Sequence, residues 1–112
     1  MESYTKTTRT FTVDQLFDMN ECDNGAKIRN KDGYLKKYLP DDWSDFKHNI
    51  LTNGLTGSTI QIRQKDNTYT IIDGIHRIIA MKELQNEGLL DKNIKIHVEL
   101  TLYKPTPKLK DN

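Results

Sequence analysis

The elements legible along this sequence predict an α+β fold, a small mixed sheet with helices packed against it. Three observations carry that expectation. Thr59-Ile-Gln-Ile-Arg63 and Tyr69-Thr-Ile-Ile72 read as short strands on either side of an Asp66-Asn67 turn, which makes a hairpin. Ile94, Ile96, Val98 and Leu100 alternate with Lys95, His97, Glu99 and Thr101, the period of a half-buried strand. Between these, the stretch from Ile75 to about Glu87 reads as helix and is closed by Gly88.

The remaining elements follow from local signals. Thr12 and Gln15 stand in the relation of a capping box just before Leu16 and Phe17, so a short helix is expected near 13–19. Residues 20–33 are rich in Asn, Asp and Gly and read as a loop. A helical turn is expected around Tyr34, Leu35, Tyr38 and Leu39, ended by Pro40. Asp41 or Asp42 then offers an N-cap to a helix carrying Trp43, Phe46, Ile50 and Leu51, with Gly54 as its stop. The aromatic residues of this region, Trp43, Phe46, Tyr34 and Tyr38, fall at helical spacing and read as core rather than as a base-stacking platform. Residues 1–10 are expected to be a flexible arm, 11–103 the domain, and 104–112 a flexible tail.

The 112 residues suit one domain. With 17 Lys+Arg against 16 Asp+Glu, the net charge of +1 argues against a wholesale polyanion binder and leaves only weak or indirect nucleic-acid contact. The basic tail, with Lys104, Lys108 and Lys110, has the charge to touch nucleic acid or a partner protein, but three lysines beside one aspartate are more often a solvated terminus. The single cysteine, Cys22, excludes an intrachain disulfide and a multi-cysteine metal site. No apolar run approaches the roughly 18–20 residues of a membrane span, and the N-terminus lacks a signal-peptide core, so a reducing cytoplasmic setting is expected.

One constellation has chemical potential: Asp73-Gly74-Ile75-His76-Arg77, where a strand hands over to a helix. Such a junction presents unpaired backbone N–H groups at the positive end of the helix dipole. Gly74 permits close backbone approach and unusual dihedrals. Arg77 can grip a phosphate or carboxylate through paired hydrogen bonds, and His76 can donate to a phosphate oxygen or move a proton. Asp73 can hold a metal ion on the phosphates or accept a hydroxyl proton. The plainer alternative stands beside it: Asp-Gly is a common turn, Asp73 simply caps the helix, and Arg77 pairs with a surface carboxylate.

The surroundings of this turn bear on the choice. Asn53-Gly54-Leu55, Ser58-Thr-Ile-Gln-Ile62, Tyr69-Thr-Ile-Ile-Asp-Gly-Ile-His-Arg-Ile-Ile-Ala80 and Ile94-Lys-Ile-His-Val98 together resemble the ParB N-terminal/sulfiredoxin superfamily. The resemblance runs from about Phe11 to Leu102, with its specific part at 69–80. It implies a ParB/sulfiredoxin-like fold and a turn that binds nucleotide phosphates, hence a nucleoside tri- or diphosphate with Mg²⁺ as ligand. Gly74, His76 and Arg77 then bind the nucleotide. Asp73 and His76 are the catalytic candidates, and Asp73 is also the metal ligand.

Within that resemblance, members part company. Sulfiredoxin-like members carry a catalytic cysteine where this chain has Ile75, so sulfinic acid reduction is not expected. Partition proteins use Gly-Glu-Arg-Arg and continue into a helix-turn-helix, whereas this chain has His76 before Arg77 and ends at Asn112. Free-serine kinases use an Asp-Gly-His-x-Arg type of turn, matched at Asp73 and Gly74 but not at Ile75. Stand-alone members of phages and plasmids include nucleases and ATPases. The resemblance thus implies nucleotide binding with phosphoryl transfer or phosphodiester hydrolysis. The alternative is a non-catalytic phage- or plasmid-type regulator that binds a host or DNA-processing protein, with a protein partner or homodimer in either case.

Lys47 lies on the helix that often faces the nucleotide in the family, which makes it a second phosphate contact or else a solvated surface lysine. Asn53 and Gly54 either line the pocket or end the helix. His48, His76 and His97 share no ligand spacing, and His97 reads as a solvent-side strand residue.

Overall fold

A computed structural model of the chain describes residues 3–22, 24–28, 40–53 and 60–104. Four strands, β1 (Ser3–Phe11), β2 (Ile60–Lys65), β3 (Thr68–Asp73) and β4 (Ile96–Lys104), form one sheet in the order β1-β4-β2-β3. Among the described residues three helices accompany it: α1 (Val13–Phe17), α2 (Pro40–Thr52) and α3 (Ile75–Asn86). The fold is α+β with a mixed sheet. β1 pairs antiparallel with β4, β2 antiparallel with β3, and β2 parallel with β4.

The hairpin is where the alternation puts it. Lys65 pairs with Thr68, leaving Asp66 and Asn67 as the turn, and Asp66 takes φ 56°, a left-handed conformation that Asp tolerates. β3 ends at Asp73 and the chain turns directly into α3. A parallel partner for β2 then requires the chain to cross back, which α3 and the segment after it accomplish. Gln85 is buried in α3 and donates from Nε2 to the Asp91 carbonyl at 3.0 Å, pinning that return.

One face of the sheet supplies Ile60, Ile62, Ile71, Ile96, Val98 and Leu100 to the core. α1 adds Val13 and Leu16, and α3 adds Ile78, Ile79, Ala80, Met81 and Leu84. α1 and α2 both pack against α3. The capping box at α1 forms as its spacing requires: Thr12 N–H donates to Gln15 Oε1 at 2.8 Å, and Gln15 N–H to Thr12 Oγ1 at 3.2 Å. Trp43 is buried and Phe46 packs against the core, in keeping with their helical spacing. Tyr34 and Tyr38, with the helical turn expected around them, lie outside the described residues.

Three expectations are corrected. The arm expected at residues 1–10 is strand from Ser3 onward, paired along its length with β4 from Ser3↔Lys104 to Phe11↔Ile96. The reason is local: a run of Thr, Tyr and Phe favours extended backbone, and β4 offers it a full ladder. That ladder also moves β4 two residues along from the expected start at Ile94, whose N–H instead closes a turn on the Asp91 carbonyl. Finally, α2 begins at Pro40, so Asp41 and Asp42 stand in its first turn rather than at its N-cap. Proline fits the first helical position because its missing N–H would be unpaired there anyway. The stop expected at Gly54 and the tail after Lys104 lie outside the described residues.

Candidate functional site

Gly74 is the N-cap of α3, with φ 104° and ψ 15°, and no side chain caps the helix. Asp73 therefore does not act as the cap, and no acidic residue stands in the first turn. Among the described residues no side chain bonds the first amides of this twelve-residue helix, which stand at the positive end of its dipole. Glycine is required here twice over. Its φ is one that L side chains rarely adopt, and a Cβ would come within 2.8 Å of Ile60 Cγ1 and 3.3 Å of Ile60 Cα. The close approach is thus inward, to β2, and it presses the start of α3 onto the sheet.

Arg77 occupies the first turn of this helix. The residue is only 8% exposed, and its Nη2 is fully enclosed with no hydrogen-bond partner among the described residues. Burial lowers its pKa from the ordinary arginine value, and no carboxylate offsets that. A buried guanidinium without an anion is costly. Among the described residues no carboxylate pairs with Arg77, the alternative expected for it. Phe46, Ile72, Asp73, Gly74, Ile75, His76 and Arg77 line a cavity of about 290 Å³ at this end of the helix. That is at the lower edge of the roughly 300–1,000 Å³ of sites that enclose a whole small molecule. It suits the anionic end of a larger ligand.

Asp73 is exposed at the rim and His76 is half-buried in the lining, so the turn keeps the five residues of the sequence pattern together. Phe46 and Ile72 join them, and only the fold brings Phe46 within reach, from α2. Lys47 goes elsewhere. Its ammonium bonds Glu87 at 2.7 Å and Glu83 at 3.1 Å, six or more residues beyond Arg77, which is about 9 Å along the helix axis. Burial alone would lower the Lys47 pKa, yet the hydrogen bonds and charges of Glu87 and Glu83 outweigh it and hold the value above normal. Lys47 is thus a tie between α2 and α3 and not a phosphate contact.

Asn53 ends α2 with its N–H on the Asn49 carbonyl at 2.9 Å and is not among the residues lining the cavity. Gly54 lies outside the described residues. Among the described residues no three His, Cys, Asp or Glu side chains gather as a metal site, and His97 is exposed on β4.

A larger depression, about 720 Å³, lies between β1, α1 and the β2–β3 turn. Its polar groups are largely engaged in the fold: Lys27 Nζ donates to the Asp18 carbonyl, Gln15 serves the capping box, and Asn20 exchanges backbone bonds with Tyr69 and Ile71 on β3. Size favours this depression, but chemistry favours the smaller cavity, where a buried charge has no partner.

Fold and site together define an α+β domain with an uncapped helix N-terminus and a buried arginine beside it. Comparison with protein-family models, with curated proteins and with solved structures finds no match for this chain. Among the described residues no helix is long and apolar enough to cross a membrane.

Proposed function

We propose that this chain is a nucleotide-binding protein of the ParB/sulfiredoxin-like type, which holds the phosphates of a nucleoside tri- or diphosphate at the start of α3. The observation that carries this reading is Arg77, buried, with Nη2 unpartnered, beside a helix N-terminus that no side chain caps. A phosphate would satisfy both at once, accepting from backbone N–H groups and from the guanidinium. The cavity volume supports a ligand whose phosphate end is enclosed and whose base lies further out.

Asp73 is the one carboxylate among the residues lining the cavity. A single carboxylate fits a Mg²⁺ that arrives on the phosphates and keeps most of its waters, and it does not fit an ion caged by protein ligands. When bound, such an ion would neutralise phosphate charge. His76, half-buried on the same turn, is the group available to donate to a phosphate oxygen or to move a proton there. Phosphoryl transfer or phosphodiester hydrolysis at this turn is the catalytic form of the proposal. The lone carboxylate favours the second form, a binding protein that senses the nucleotide and passes the signal to a protein partner.

The test is a titration with ATP, CTP, GTP and ADP in Mg²⁺, following the amide signals of Asp73–Ile78. Saturable shifts confined to that turn, absent in Arg77→Met, are expected; no shift with any of the four overturns the proposal. Turnover measured in Asp73→Asn then separates the two forms. A lost rate assigns catalysis to Asp73, and the absence of any turnover in the wild type leaves the sensor.

A further inference from the structure

The two edges of the sheet are finished differently. β3 is six residues long, and its ladder with β2 shifts register between Gln61 and Ile62. Its outer side is taken up by Asn20, which donates its N–H to the Tyr69 carbonyl at 3.2 Å and accepts from the Ile71 N–H at 2.8 Å. β1 has neither protection. It runs nine residues without a proline or a register shift, and among the described residues it pairs on one side only, with β4. In an antiparallel ladder successive residues turn their N–H and C=O groups to alternate sides, so about half of β1 presents them outward. Such an edge is a template for one more strand.

The side chains leave the edge accessible. Residues 3–10 are all exposed, on both faces of the strand. The charged residues among them are Lys6 and Arg9, both cations. Neither meets a carboxylate among the described residues, and Arg9 instead lies over the Phe11 ring, its guanidinium carbon 6.0 Å from the centroid. Being three positions apart, they stand on opposite faces of β1. Their partners across the ladder are Thr101 and Val98, which carry no charge. Glu99, two residues along β4 from Thr101 and on the same face, makes no ion pair with Lys6 either.

We propose that the outer edge of β1 is a strand-addition site for an extended acidic segment of a partner protein. The segment continues the sheet through its backbone. Carboxylates three positions apart on it meet Lys6 on one face and Arg9 on the other. Charge selects this occupant, because opposite charges paired across strands favour association and like charges oppose it. A second copy of β1 would bring two more cations to the same edge, and lysine on an edge strand is a known guard against such self-pairing. A polynucleotide draws its affinity from many phosphate contacts, for which two cations on opposite faces are too few. The inference does not depend on what the Arg77 cavity binds.

The probe is a peptide of roughly nine residues, the length of a long strand, built of Thr and Val with a Glu at two positions three apart. Its twin carries Lys in place of Glu. Each is titrated into the protein at low salt while backbone amide signals are followed. With the Glu peptide the signals of residues 3–10 should shift saturably, every second residue most, because alternate N–H groups face outward. The Lys peptide should bind about tenfold more weakly, a few-fold for each of the two charge pairs. Reversing both cations, Lys6→Glu with Arg9→Glu, should exchange the ranking of the two peptides. Both side chains are exposed and outside the core, so that variant should melt close to the wild type. The two peptides on the wild type make the same test with no substitution at all. Absence of shifts in β1, or equal binding of the two peptides, would overturn the proposal. Shifts confined to residues 73–78 would overturn it too, by sending the carboxylates to the Arg77 cavity. So would a free protein that sediments as a dimer with its β1 amides already protected from exchange, which gives the edge to a second copy. Equal binding of an oligothymidine at β1 would give it to nucleic acid instead.

Discussion

Lys47 and Arg77 are both cations packed against α3, and the fold treats them in opposite ways. Lys47 reaches across from α2 with its side chain 14% exposed, and it is met by two carboxylates, Glu83 and Glu87. Arg77 sits at the other end of the same helix, equally enclosed, with an orphaned Nη2 and no carboxylate. A cation that folding has to bury is normally given its counter-ion, because the unpaired charge costs far more than the pair. The α2–α3 seam obeys that rule and is structural. The α3 N-terminus departs from it, and the proposed phosphate site rests on that departure.

The largest effect should come from removing the geometry on which the second region depends. Gly74→Ala places a Cβ against Ile60 at a positive φ. Left-handed backbone costs an alanine about 1–2 kcal/mol, and forcing a methyl into packed backbone adds about 1–3 kcal/mol. A loss of about 3 kcal/mol in denaturant unfolding is expected. A change below about 0.5 kcal/mol would mean that the turn is not held against β2, and the contrast between the two ends of α3 would lose its basis.

Arg77→Met tests the departure itself. Methionine keeps most of the apolar stem while removing a buried donor that has no partner, and such a donor costs about 1–3 kcal/mol. The ligand-free protein should therefore gain about 1 kcal/mol, read as a melting temperature higher by roughly 4–8 °C for a chain of this size. The same variant should lose the stabilisation that saturating nucleotide gives the wild type, about 2.7 kcal/mol at a hundred times Kd. A destabilised Arg77→Met protein would place the guanidinium among the structural cations with Lys47.

How far this contrast could be read in the sequence depends on the range of the interactions involved. The α1 capping box, the β2–β3 hairpin and the Asp73–Arg77 turn are local, so residue type and spacing were enough to place them. The glycine was recognised, but not its neighbour: that Ile60 sits under Gly74 is a pairing across the sheet. The sequence offers Lys47 to a phosphate or to solvent but not to Glu83 and Glu87, because helix periodicity does not say which residues of another helix it will meet, and these lie thirty-six and forty positions away. β1 was missed for a similar reason. Its Thr-rich alternation has strand character, yet all but Phe11 of it is exposed, and an exposed strand has no hydrophobic period to betray it. Tyr4 and Lys6 went with it, and their pairing with Tyr103 and Thr101 follows only from the ladder with β4.

Lys47→Met sharpens the comparison from the structural side. It leaves Glu83 and Glu87 facing each other, but Glu87 is nearly half-exposed and water screens it, so the loss should be about 1 kcal/mol or less. The pH dependence carries more information than the magnitude. Because the Lys47 pKa is raised in the folded state, its contribution is fully present below the unfolded value of 10.5 and is lost as pH climbs through the folded one. Wild-type stability should therefore fall above pH 10.5 more steeply than that of Lys47→Met. Parallel curves would remove the tie.

Lys82 completes the series on α3 and should give the smallest effect. It meets Asp14 of α1 at 2.5 Å, and the hydrogen bond to Lys82, followed by that lysine's charge, holds the Asp14 carboxyl below its usual 3.8. Asp14 is fully open to solvent, so salt and water take most of the gain. With its folded pKa depressed, whatever Asp14 contributes is present above pH 3.8 and lost as pH falls through the folded value. Lys82→Met should lower the melting temperature at neutral pH only slightly, and that small difference should close as pH falls below 3.8. A substantial loss at neutral pH would show that pairing matters even for a half-exposed cation on this helix, and Arg77 would then stand out still more sharply as an enclosed cation that has no counter-ion among the described residues.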